Sequence, residues 1–140
     1  MAGKPHRLPA FFFVISGKEE ARLIYVGVAH SLPQSSEKRL VIDIGGGSTE
    51  FVIGTGLAPA LMESISMGCV SWSLRFFANG VLDKGAFRKA EVAARNEMQH
   101  MVKGFRRSGW AMAVASSGTA KSMAAVLSEG GLNGHAGRGS

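Results

Sequence analysis

Sulfur chemistry is nearly absent from this chain: Cys69 is the only cysteine in 140 residues. One thiol cannot close an intrachain disulfide, so a reducing compartment, the cytoplasm, is the expected location. As a small apolar side chain, Cys69 is expected to be buried. The four histidines, His6, His30, His100 and His135, lie far apart with no i, i+4 pair. Zinc sites of the usual Cys/His kind are thereby excluded. No apolar run approaches the roughly 18 residues of a membrane span, so no integral membrane segment is expected. The start, MAGKPHRLPAFFF, puts charge before an apolar run, but the run from Ala10 to Ile15 is shorter than the roughly 7–15 residues of a signal sequence and no small-residue cleavage site follows. Acidic residues are in deficit, 10 Asp plus Glu against 16 Lys plus Arg, for a net charge of +6. That balance suits anionic partners without choosing among them.

Apolar residues make up 46% and charged residues 19%, which excludes a disordered chain. The final segment, GGLNGHAGRGS from Gly130 to Ser140, has almost nothing to bury and is expected to be a disordered tail. Stable structure is expected between about residues 11 and 129.

Between those limits the pattern predicts an α/β chain. Glu19 to Val28 fits helix and strand periods alike; a short helix ending near Gly27 is favoured, followed by a polar loop, HSLPQSSEKR, broken by Pro33. Leu40 to Ile44 and Ser48 to Ile53 read as two strands of a hairpin across Gly45-Gly46-Gly47, and Ala60 to Ser66 as a third. Cys69 to Phe77 is ambiguous by periodicity, although Asn79-Gly80 suits a helix stop. Asp83 is placed to cap a helix running to about Arg107. Its apolar face is Phe87, Ala90, Ala94, Met98, Met101, Val102 and Phe105, and Gly109 ends it. Trp110 to Ala115 reads as a buried strand, and Thr119 as the cap of a last helix, Ala120 to Ser128. A meander followed by a helical crossover to a further strand gives a mixed sheet with helices packed on it. Lys84 to Arg107 carries seven basic and two acidic residues. It reads as the solvated face of an amphipathic helix or as a patch that attracts a polyanion.

The segment richest in chemistry is Asp43-Ile44-Gly45-Gly46-Gly47-Ser48-Thr49-Glu50. Glycines without Cβ atoms let backbone N–H groups approach an anion closely. Ser48 and Thr49 add hydroxyl donors. Carboxylates beside a phosphate repel it unless they hold a cation or activate a water. Asp43, the glycines, the hydroxyls and Glu50 together point to metal-assisted attack of water on a phosphate. No Gly-Lys-Ser/Thr follows, which excludes a Walker A loop. Strand rather than helix follows the glycines, which excludes a dinucleotide fingerprint.

VIDIGGGSTEFVIG resembles the second phosphate-binding loop of the exopolyphosphatase and guanosine pentaphosphate phosphohydrolase (Ppx/GppA) family, of the actin-like, ribonuclease H-like superfamily. ISGKEEARLIYVGV, SMGCVSW and SSGT resemble further family segments in the same order, so the resemblance spans roughly Val14 to Glu129. It implies an actin-like half-domain that releases terminal phosphate from inorganic polyphosphate with Mg²⁺. Guanosine pentaphosphate is the alternative substrate, and a non-catalytic polyphosphate or nucleotide-binding module the alternative of another class. Glu20 matches the general base, and Asp43 the carboxylate holding the metal and its water. Gly45, Gly46 and Ser48, within the turn that also holds Gly47 and Thr49, match phosphate contacts, and Glu50 the second loop carboxylate. The resemblance also implies a homodimer for the full-length enzyme; nucleic acid is not an expected partner.

Family members are longer and begin with a half-domain carrying a first Asp-Gly-Ser type loop, of which there is no sign before Val14. The expectation is a truncated chain: residues 1–13 unmatched, 14–129 a partial phosphatase domain, and 130–140 a tail. It keeps Glu20, Asp43 and Glu50 but lacks one wall of the phosphate cleft, and its cut sheet is expected to expose edge strands and apolar surface.

Overall fold

The structure, a computed structural model, describes residues 15–129. The expectations for residues 1–13 and for the tail from Gly130 to Ser140 fall outside the described residues. Four strands and four helices follow in the order α1 (Gly17–Ser31), β1 (Lys38–Ile44), β2 (Thr49–Thr55), β3 (Ala58–Ile65), α2 (Cys69–Phe76), α3 (Lys84–Ser108), β4 (Met112–Ser116) and α4 (Gly118–Glu129). The sheet order is β3-β2-β1-β4: β1, β2 and β3 form the antiparallel meander, and β4 joins β1 in parallel after the crossover through α2 and α3. This is the expected mixed sheet.

Helices lie on both faces of the meander. Ala21, Tyr25 and Ala29, spaced i, i+4, i+8, place one stripe of α1 against Val41 and Val52. Met101 and Phe105 of α3 pack on the other face with Leu40, Ile53 and Ile65. The alternation of the strands makes this possible, since successive residues face opposite helices.

Four expectations are corrected. The first helix does not stop near Gly27; it continues to Ser31 because Ala29 still packs on the sheet. It ends at Leu32, whose extended conformation (φ −109°, ψ 154°) is what the following Pro33 requires. The loop is therefore shorter than the polar stretch. β4 starts at Met112, and its residues are exposed or half-buried rather than core. It pairs only with β1 at the sheet edge, beyond the cover that α1 and α3 give the meander. Ser117, not Thr119, caps α4: its hydroxyl accepts the Ala120 N–H at 3.3 Å, and Thr119 lies inside the helix. Cys69 is exposed, because it is the first residue of α2 and sits on the rim of a cleft.

The long helix follows the sequence closely. Asp83 accepts the Ala86 N–H at 2.7 Å, and Gly109, at φ 65°, ends the helix in a backbone region that favours glycine. Phe87 is less buried than its place on the apolar face suggests, at 55% exposure, with its ring 4.9 Å from that of Phe77.

Candidate phosphate site

Strand register puts the polar groups in one row. Asp43 on β1 stands opposite Glu50 on β2, Glu50 opposite Ser64 on β3, and Asp43 beside Ser116 on β4. Paired residues project to the same face, so Ser64, Glu50, Asp43 and Ser116 cross the sheet on the side covered by α1. β1 and β4 are parallel, so their carboxyl ends and the turns after them emerge together. That is where α/β sheets hold ligands.

Glu50 is 2% exposed and accepts a hydrogen bond of 2.9 Å from the Ser64 hydroxyl. Asp43 is half-buried. Two carboxylates directly opposite each other on neighbouring strands repel unless a cation lies between them. The pair therefore fits Mg²⁺, which is held through one or two carboxylates together with waters and substrate phosphates rather than by a full protein cage. Among the described residues no group of three His, Cys, Asp or Glu is gathered closely enough to hold a metal. Glu20 is thus not clustered with the Asp43–Glu50 pair.

Glu20 lies in the first turn of α1. That turn reaches the same end of the sheet, since a Cβ at Gly17 would stand 2.7 Å from the Ser64 side chain. The structure separates the two adjacent glutamates. Glu19 is bound by the Arg22 guanidinium, with contacts of 2.6 and 2.9 Å, and this hydrogen-bonded ion pair holds its carboxyl below the usual glutamate range. Glu20 is exposed, and its carboxylate has no hydrogen-bond or ion-pair partner among the described residues.

The glycine turn divides its groups. The Gly45 N–H closes the hairpin onto the Ser48 carbonyl at 2.9 Å. The N–H groups of Gly46, Gly47 and Ser48 donate to no protein acceptor among the described residues. Gly46 and Gly47 are exposed, as an anion cradle requires. Thr49 is set apart from these. It is buried on the opposite face, and its hydroxyl donates to the Met67 carbonyl, so it ties the β3–α2 junction to the sheet.

Three residues near the turn were not named as site residues from the sequence. Ser64 holds Glu50, Ser116 neighbours Asp43, and Gly68 lies against the glycine turn. The SMG of the β3–α2 junction is the only local signal for the last of these.

Two other surfaces are separate from the row. A cleft of about 750 Å³ lined by Ile42, Phe51, Met67, Trp72, Phe87 and Met123 opens on the α3 face and is apolar. Its lining is dominated by apolar side chains, which suits it poorly to phosphate. The seven basic side chains from Lys84 to Arg107 are exposed on α3, across the sheet from the carboxylates.

The model of the Ppx/GppA phosphatase family matches residues 7–135. Among solved structures, the Ppx/GppA enzyme of Aquifex aeolicus is 28% identical with a TM-score of 0.65, over 82% of this chain and 36% of that one. An exopolyphosphatase-like protein is 25% identical with a TM-score of 0.75, over 83% and 38%. An exopolyphosphatase from Cytophaga hutchinsonii is 25% identical with a TM-score of 0.63, over 86% and 38%. The chain therefore spans little more than a third of the length of these structures.

Proposed function

Because the chain belongs to the Ppx/GppA phosphatase family, we propose that it is a phosphohydrolase acting on the terminal phosphoanhydride bond of inorganic polyphosphate. The observation that carries this reading is the side-by-side placement of Asp43 and Glu50, beside two exposed N–H groups on Gly46 and Gly47. Each part has a role in displacement by water. The N–H groups bind the terminal phosphate without bringing further negative charge. Asp43 and Glu50 would hold Mg²⁺, which when bound neutralises charge developing on the phosphoryl oxygens. Glu20, unpartnered on the first turn of α1, is the general base that takes a proton from the attacking water. Ser48 adds a hydroxyl donor at the turn.

Release of inorganic phosphate from polyphosphate in the presence of Mg²⁺ tests the proposal. Glu20→Ala and Glu50→Gln are each expected to lower the rate about a hundredfold or more. Binding of polyphosphate without turnover, indifferent to Glu20→Ala, would instead identify a binding module. Faster release from guanosine pentaphosphate than from polyphosphate would move the substrate to the nucleotide. The single exposed thiol accords with a reducing cytoplasm. No helix among the described residues is long and apolar enough to cross a membrane.

A further inference from the structure

We propose that Gly68 and Ser71, where β3 passes into α2, are positioning residues that aim the N–H groups of the glycine turn. The proposal deepens the phosphate reading of that turn and rests on it.

The geometry follows from peptide planarity. The Cys69 N–H donates to the Gly45 carbonyl at 2.9 Å, and the N–H groups of Val70 and Ser71 donate to the Gly46 carbonyl at 3.0 Å each. The first N–H groups of a helix have no partner within it, and here the turn supplies the acceptors. In a trans peptide the C=O and N–H point in opposite directions, and the described chain has no cis bond. The N–H groups that share those two peptide planes belong to Gly46 and Gly47. Fixing both carbonyls onto α2 therefore turns both N–H groups away from it, side by side. The start of α2 is not itself the anion site, because its N–H groups are occupied.

Two features hold this arrangement. A Cβ on Gly68 would stand 2.4 Å from the carbonyl carbon and oxygen of Gly46 and 2.5 Å from the nitrogen of Gly47. Those atoms belong to the peptide plane whose direction matters, so no side chain fits there without moving it. Ser71 then fastens Gly68: its hydroxyl oxygen accepts the Gly68 N–H at 3.1 Å and lies 3.2 Å from the Gly68 carbonyl and 3.4 Å from that of Gly47. The bond from Thr49 to Met67 pins the preceding residue.

Nuclear magnetic resonance on the full chain tests this, with inorganic tripolyphosphate and Mg²⁺ as the probe. In the wild type, couplings across the Cys69–Gly45 and Val70–Gly46 hydrogen bonds are expected, and the Gly46 and Gly47 amide signals should shift on titration. Gly68→Ala should abolish the couplings and weaken the apparent affinity about tenfold or more, the scale of losing a hydrogen bond to a charged ligand. Ser71→Ala should weaken it about threefold, the scale of one hydrogen bond. The amide signals of β1 and β2 should stay in place in both variants, which a general loss of structure would not allow. Retained couplings and wild-type affinity in Gly68→Ala overturn the proposal. Should Gly68→Ala unfold, unchanged titration of Ser71→Ala overturns it. Couplings lost in Gly68→Ala, with a wild type that ignores tripolyphosphate, uphold the positioning role and sink the phosphate reading instead.

Discussion

The two faces of the sheet are built from the same strands and do different work. On the α3 face Leu40, Ile53 and Ile65 meet Met101 and Phe105, and the apolar contact continues into the cleft beside Trp72. On the α1 face Val41 and Val52 meet Ala21, Tyr25 and Ala29, but the next pair toward the glycine turn is Asp43 and Glu50. One face is given to cohesion along its length. The other is cohesive at Val41 and Val52, with the buried Arg39 toward one end and the Asp43–Glu50 pair at the end where the turn begins. A buried carboxylate is tolerated there because the Ser64 hydroxyl donates a hydrogen bond to it.

Substitutions on the two faces can break or sharpen this contrast. Phe105→Ala on the α3 face should cost about 3–5 kcal/mol in urea unfolding, the usual range for deleting a buried ring. Divalent-ion and phosphate affinity, measured well below the unfolding midpoint, should change little. A site lost together with the ring would show that the faces are not independent. Ser64→Ala on the α1 face should cost less, about 1–3 kcal/mol, because it leaves the Glu50 carboxylate buried without its donor. Urea midpoints at unchanged slope measure it; a loss equal to that of Phe105→Ala would place Glu50 in the core rather than in a site.

Tyr25 gives a pH reading of the cohesive part of the α1 face. It is the only tyrosine, so its ultraviolet titration is unambiguous. Burial favours the neutral phenol and raises its pKa above the ordinary value of about 10. The stability it contributes is complete below that ordinary value and is lost as pH rises through the raised one. Ionisation at or below pH 10 would contradict the packing around the ring. The smallest effect belongs to the outer surface of α3. Glu91→Gln breaks an exposed ion pair with Arg95, 2.7 Å long, and should cost about 0.5 kcal/mol or less, vanishing in high salt.

The meander, the long helix and the glycine turn were legible because their signals are local. Alternation, Asp83, Gly109 and three successive glycines each act within a few residues of themselves. The errors lie where a distant element decides. WAMAVA has the composition of a buried strand, but nothing in it records that β4 stands at an edge. Gly27 looked like a stop, yet packing at Ala29 carries α1 past it. Asp43 and Glu50 were readable as a pair from the turn between them. Ser64 and Gly68 were not, since their partners are set by β3 register and by the approach of α2. Glu19 and Glu20 were told apart by the family resemblance alone; in the structure Arg22 claims the first.

The parallel pairing of β4 with β1 also constrains the order in which the chain assembles. β1 and β2 meet across a four-residue turn, so the hairpin carrying Asp43 and Glu50 closes over a short loop. β4 reaches β1 only after β2, β3, α2 and α3 have been traversed, a contact of high sequence separation that forms slowly. In a kinetic experiment, substitutions in the hairpin should slow refolding, whereas those in β4 should act mainly on the unfolding rate. The carboxylate pair is then an early product of folding, and Ser116 the last member of its row to arrive.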